Sequence, residues 1–324
     1  APYRISLLGG GSDLDWFIEK EIEGFAIGYS LNRYNYSIIN FLDDYASSGI
    51  LNYSSREVYE NIEDIVHPLI KEVLKSSLIK KYIELNTYGF ASGGSGLGGS
   101  SCFILSLLAA LKLNKIENIN PIKLAYDTCE IEISKLNKPI GRQDQYISAL
   151  GGISCLHFIQ DKIVKIINLE DIQKKVLKRI INNLYLVPSF KTRSADKVLS
   201  SLKNQKSSYE KIKEIREIAR RYIFSDEQND FKNEQLFHEC VRESWEIKKT
   251  MTNVMDTVLE DQYEYLNKIV PNNWIRLLGA GSGGYFLISP KVEEKKLIEI
   301  FHKSKVNNFI KAELSNEGVS AIDY

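Results

Sequence analysis

A mixed fold of strands and helices built as two joined lobes is what this sequence predicts, and three observations predict it. The chain has 324 residues, enough for two compact units around a continuous core. Strand-like segments at its two ends, 3–8 and 274–278, each run into a glycine turn. Between them a Gly/Ser loop opens straight into a strongly apolar helix, with amphipathic helices and further strands on either side.

In chain order, residues 3–8 alternate as a strand and stop at Gly9-Gly10-Gly11-Ser12-Asp13. Two readings of Asp13 stay open there. Either it faces a substrate, or it caps, with Ser12, a helix that begins near Leu14. Residues 24–29 and 34–41 read as strands, 43–49 as a turn and 51–54 as a short extended piece. His67-Pro68 opens an amphipathic helix over 67–74 with proline just inside it, and a strand over 82–88 feeds the glycine loop.

That loop, Ala91-Ser92-Gly93-Gly94-Ser95-Gly96-Leu97-Gly98-Gly99-Ser100-Ser101, leads into the apolar helix 102–113. Glycine admits positive φ and lets backbone amides approach a ligand, and a helix start presents unpaired N–H groups and partial positive charge. Together they predict an anion cradle, with phosphate the natural occupant. The loop is not a Walker A motif, since no Lys-Ser or Lys-Thr follows its last glycine, and it makes a poor dinucleotide fingerprint. A flexible connector is the plain alternative, but linkers seldom run unbroken into an apolar helix.

A helix over 122–136 carries Glu130 and Glu132 near its end. Asn137-Lys138-Pro139-Ile140 then turns into Gly141-Arg142-Gln143-Asp144-Gln145, and a helix over 146–150 stops at Gly151-Gly152. Carboxylates and cradle can converge here. Residues 155–159 and 163–168 pair as a hairpin, and the charged helix 170–183 marks the lobe boundary. In the second half, strand 184–187 ends at Pro188 and a polar loop over 189–196 leads to a helix. Helical spacing of Ile212, Ile215, Ile218, Ala219 and Tyr222 marks 203–224, and 236–259 reads as one helical stretch with Trp245 in the core. Strands 274–278 and 285–288 flank the glycine turn 279–284, and helix 292–305 precedes strands 309–314 and 318–322.

Composition narrows the function. Lys plus Arg and Asp plus Glu both number 42, so no broad basic field exists to hold nucleic acid or an anionic membrane. The expected partner is a small molecule. Cys102, Cys129, Cys155 and Cys240 form no Cys-x-x-Cys pair and read as reduced, buried thiols of a cytoplasmic protein. The scattered His67, His157, His238 and His302 offer no histidine-built metal centre, and no signal peptide or spanning segment is expected.

Phosphoryl transfer needs a phosphate cradle, magnesium on the nucleotide oxygens and a group that orients or deprotonates the attacking hydroxyl. Residues 96–101 supply the first, Ser100 with a carboxylate such as Glu132 the oxygen ligands of the second, and Asp144 the third. Either Arg4 or Arg142 could hold Asp144 and stabilise developing charge.

Three motifs in order resemble those of the GHMP small-molecule kinases, which include galactokinase, homoserine kinase and mevalonate kinase. They are 1–13 (Ala-Pro-Tyr-Arg-Ile-Ser-Leu-Leu-Gly-Gly-Gly-Ser-Asp), 95–101 (Ser-Gly-Leu-Gly-Gly-Ser-Ser) and 279–284 (Gly-Ala-Gly-Ser-Gly-Gly), with Gly141-Arg142-Gln143-Asp144-Gln145-Tyr146 between. Gly-Gly-Gly-Ser-Asp, the His-Pro segment 67–74, Gln-Asp-Gln and the polar loop at Arg193 resemble the heptose 7-phosphate kinase branch. The resemblance implies an α+β, two-lobed fold: an N-terminal lobe over 1–180 with a left-handed βαβ unit, and a ferredoxin-like C-terminal lobe over 181–324. It implies ATP and magnesium as cofactors, and Asp144 and Arg4 as the catalytic pair. The amides of Ser95, Gly96, Leu97, Gly98, Gly99, Ser100 and Ser101 would wrap the ATP phosphates, and Ser100 and Glu132 would hold the metal. Gly10, Gly11, Ser12, Asp13, Arg142, Lys191, Arg193, Gly281 and Ser282 would meet the substrate.

The expected reaction is phosphorylation of a sugar phosphate at the anomeric hydroxyl of a heptose 7-phosphate. The alternatives are a kinase of an unphosphorylated galactose- or fucose-like sugar, the diphosphomevalonate decarboxylase branch, and a catalytically silent sugar-binding homologue; a homodimer is left open. One position departs from the family. Ser or Thr usually stands where this chain has Gly99, which removes one hydrogen bond worth about 1 kcal/mol and leaves activity in place.

Overall fold

Two sheets organise the computed structural model, which describes residues 1–79, 81–91, 93–113, 119–191, 195–203 and 205–323. The first contains β1 (Pro2–Leu8), β2 (Glu23–Phe41), β3 (Gly49–Asn52), β4 (Arg56–Tyr59), β5 (Ile83–Gly89), β6 (Ile153–Ile159) and β7 (Ile163–Ile167). Its order is β4-β3-β5-β2-β6-β7, with β1 on β2. Residues 24–29 and 34–41 are one strand rather than two, and β2 changes partners along its length. Its first part pairs with β6 and β1, and residues 35–41 pair with β5. The polar Asn32-Arg33 step does not turn, because Asn32 N–H finds the Glu313 carbonyl at 2.8 Å and the backbone stays extended. β4 was not expected; it folds back on β3 through the Ser54-Ser55 turn.

The helices of this half are α1 (Asp15–Glu21), α2 (Pro68–Ser77), α3 (Gly99–Leu113), α4 (Pro121–Cys129) and α5 (Gln143–Leu150). β3 and β5 are parallel, with α2 in the connection between them. α3 is apolar on every side and accordingly buried, its Ile104, Leu107 and Leu111 meeting Val73, Leu74 and Leu124 of α2 and α4. The stretch read as one helix over 122–136 leaves α-geometry after Cys129 and continues as a π-turn over Glu130–Lys135.

After α6 (Asp171–Ile181), the second sheet is antiparallel: β8 (Tyr185–Pro188), β9 (Asn272–Leu277), β10 (Tyr285–Pro290) and β11 (Ile310–Lys311), in the order β11-β8-β10-β9. Around it lie α7 (Ala195–Lys203), α8 (Lys206–Ile223), α9 (Asp230–Lys249), α10 (Thr257–Ile269) and α11 (Glu294–Lys303). The helical stretch 236–259 is therefore two helices. Asn253 takes a positive φ, and the Asp256 side chain accepts Leu259 N–H at 3.1 Å as the cap of α10. The expected strand over 318–322 is not formed. The tail instead runs between the sheets: Ala312 N–H reaches Leu184 O, Ser315 N–H reaches Ser30 O, and Val319 N–H reaches Ala149 O at 3.0 Å.

The fold is α+β in two lobes whose buried residues merge, Ile5, Leu7 and Phe25 meeting Leu186, Leu287 and Phe237. Among the described residues no helix is long and apolar enough to cross a membrane, and all four cysteines are buried free thiols.

Candidate active site

β1, the loop before α3, the turn before α5 and the glycine turn between β9 and β10 meet at a cavity of about 210 Å³. The loop is stitched to β1: Leu97 O accepts Arg4 N–H at 3.0 Å, and the Arg4 guanidinium donates to Gly96 O at 2.6 Å. Ser95, Gly96 and residues 98–101 line the cavity, whereas the Leu97 side chain is fully buried in the core behind them. The second glycine run braces the first. A Cβ on Gly279 would stand 2.6 Å from Gly96 Cα, at a φ of +70° that side chains rarely adopt. Gly279→Ala is expected to cost about 1–3 kcal/mol in urea unfolding and to raise the KM for nucleotide, because strain and clash both fall on the loop.

Glu132 sits in the π-turn, a geometry that recurs at functional sites, and is fully buried. One carboxylate oxygen accepts the Ser100 hydroxyl and, at 3.1 Å, the Lys138 ammonium; the other accepts Ser101 Oγ at 2.6 Å and Gln145 Nε2 at 2.7 Å. Lys138 also touches Ser100 Oγ. Asp144 lies in the first turn of α5 rather than in a free turn, since that helix starts at Gln143. Arg4 holds it bidentately, Nε to Oδ1 at 2.7 Å and Nη2 to Oδ2 at 2.6 Å, so Arg4 and not Arg142 is its partner. Glu132 and Asp144 line the same cavity at the start of α3.

The two readings of Asp13 separate here. α1 has Leu14 as its cap residue and no side-chain capping bond. Asp13 accepts Gly11 N–H at 3.1 Å, Gln143 Nε2 at 2.9 Å and Gln143 N–H at 3.0 Å, so it closes the start of α5 instead while lining the cavity. Burial pushes its carboxyl above the ordinary range, and the Gln143 amide bond works against that rise. Gly141 makes room for it, since a Cβ there would lie 1.9 Å from an Asp13 oxygen.

Gly10 and Gly11 also line the cavity, but several candidate substrate contacts do not. Ser12 shares its hydroxyl between Gly9 O and Phe25 O at 2.8 Å, which locks the first glycine turn. Arg142 is buried and spent on Asp15, with two bonds of 2.8 Å. Lys191 pairs with Asp256 at 2.7 Å. Gly281 packs on Val254 and Ser282 is tied to Asn253 and Val254, leaving Gly279 and Ala280 to face the cavity. Arg193 lies outside the described residues.

Other lining residues were not among the expected contacts. Lys138, Gln143, Lys248 and Arg276 reach the cavity, and Leu14, Leu199, Leu202, Ile212, Met251 and Val254 give it an apolar side. Lys248 ends an amphipathic helix, where a lysine ordinarily reads as solvated. Burial, with Arg276 and Arg4 nearby, pushes its ammonium down to about 7, and burial lowers Arg276 to about 10.

Comparison with known proteins agrees with this architecture. The family described as GHMP kinases N terminal domain matches residues 65–152. A curated relative, the D-glycero-alpha-D-manno-heptose 7-phosphate kinase of Campylobacter jejuni, is 25% identical over 94% of this chain and 92% of its own. A D-glycero-D-manno-heptose 1-phosphate kinase from Bacteriodes thetaiotaomicron superposes with a TM-score of 0.74 at 20% identity, covering 98% of this chain and 96% of the other. Lactococcus lactis galactokinase, solved with galactose, gives 0.74 at 14% identity over 99% and 94%. The chain is thus similar to GHMP kinases over residues 65–152, and end to end it is similar in sequence to a heptose phosphate kinase and in fold to sugar kinases.

Proposed function

We propose that the protein is an ATP-dependent kinase of a sugar phosphate, and that its acceptor is the anomeric hydroxyl of D-glycero-D-manno-heptose 7-phosphate, giving the 1,7-bisphosphate. One observation carries the reading: the Ser100–Glu132 pair and the Arg4-held Asp144 share a cavity at the half-buried start of a helix. The name of the Campylobacter jejuni relative supports the choice of sugar. The lobes are taken as 1–180 and 181–324, a division supported by the sheets falling on either side of α6, and the buried free cysteines support a cytoplasmic setting.

In this reading the amides of 95–101 hold the nucleotide phosphates, where the helix start favours negative charge. Asp144 orients the acceptor hydroxyl and takes its proton, while Arg4 fixes both carboxylate oxygens and adds positive charge beside the transferring group. Asp13, with Gly10 and Gly11, meets sugar hydroxyls. Ser100 Oγ and Glu132 are hard oxygen donors side by side, a set that suits magnesium. Among the described residues no cluster of three acids, histidines or cysteines exists, so phosphates and water would complete its shell. When bound, magnesium neutralises charge on the nucleotide oxygens.

An ADP-release assay across sugars and sugar phosphates tests this. The heptose 7-phosphate is expected to exceed free heptose and hexoses by at least about tenfold in kcat/KM. No ADP release above background with any sugar overturns the kinase reading, and release with unphosphorylated sugars alone overturns the substrate.

A further inference from the structure

Four cations of the described residues line the cavity: Arg4, Lys138, Lys248 and Arg276. The first two rest on carboxylates, Asp144 and Glu132. The other two have backbone carbonyls for partners: Lys248 donates to Gly279 O, and Arg276 donates to Leu7 O through Nη1 while its Nε is buried with no partner. Arg276 is only 4% exposed. Burying the Arg276 guanidinium with an unmet Nε is costly, and it repels Lys248, whose charge Asp13 and Asp144 offset only in part. An added anion would offset both charges.

We propose that Lys248 and Arg276 form a subsite for the phosphate that the acceptor sugar already carries. Unmet polar atoms point to the acceptor rather than the nucleotide. Ser6 Oγ and Gln143 Oε1 are buried without partners in two further lining residues. Both residues adjoin the first glycine turn, where a Cβ on Gly10 would lie 3.3 Å from Ser6 Oγ and 3.7 Å from Gln143 Nε2. Asp13, bonded to the same Gln143, and Asp144 both act on the Lys248 ammonium. In the reading above the nucleotide phosphates fall to the amides of 95–101, beside which Lys138 rests on Ser100. Of the two loop cations expected at the substrate, Lys191 is committed to Asp256 and Arg193 lies outside the described residues.

The inference rests on the sugar-phosphate kinase reading, and its test separates the two. Lys248→Met and Lys248→Arg are compared with the wild type for kcat/KM on heptose 7-phosphate and on free heptose, and for ATP affinity by calorimetry. In Lys248→Met the preference for the phosphorylated sugar is expected to fall about 30-fold, chiefly through KM, with ATP affinity within about twofold; Lys248→Arg restores most of it. Weakened ATP binding with the preference intact overturns the proposal, since the subsite then serves the nucleotide. So does a variant that changes neither quantity. If wild type turns over neither sugar, the kinase reading fails on its own, and calorimetry decides the subsite: heptose 7-phosphate binding that Lys248→Met weakens upholds it, and binding that is absent or unchanged overturns it.

Discussion

Asp144→Asn is expected to lower kcat by about 10³-fold while ATP binds within about twofold of wild type. The amide keeps the size of the side chain but cannot take a proton from the acceptor hydroxyl. It also turns an NH2 group toward Arg4, which now pairs with both oxygens, so one bond of the bidentate clasp is lost. Urea unfolding read beside the kinetics should show only about 1 kcal/mol for that loss. A variant that turns over at the wild-type rate would remove Asp144 from the chemistry.

Glu132→Gln should be nearly as damaging, for two reasons that different measurements resolve. Four donors converge on a fully buried carboxylate, and an amide must turn its own donor toward two of them. Lys138 also loses its counter-charge, although its partly exposed side chain can swing outward, so about 2–3 kcal/mol of stability is expected to be lost. Catalytically, kcat/KM should drop at least about 10²-fold, and the rise in unfolding temperature expected of wild type with magnesium and ATP should be lost. Glu132→Asp, which keeps the charge, should recover part of both. Wild-type kinetics with an undiminished magnesium response would exclude Glu132 from the metal site.

The fold and the centre of the site were legible where a local rule applied. Glycines at positive φ, a helix hydrophobic all round and a proline-opened helix each leave a mark on neighbouring residues, so β1, α2, α3 and the glycine loop before it could be read directly. Features set by distant partners could not. Asn32 stays extended because Glu313, far along the chain, supplies the missing acceptor. Residues 318–322 carry strand-like residues but bond to the end of α5 instead of joining a sheet edge. Lys248 and Arg276 look like an ordinary helix end and an ordinary strand cation until the lobes join around them. Arg142 and Lys191, expected at the substrate from the family resemblance, instead pair across the fold with Asp15 and Asp256.

The tail from Ala312 to Val319 touches Leu184 on one side and Ser30 and Ala149 on the other. It works as a strap laid over the seam. With their interiors merged and their backs tied, the halves could swing like a jaw only by breaking these bonds.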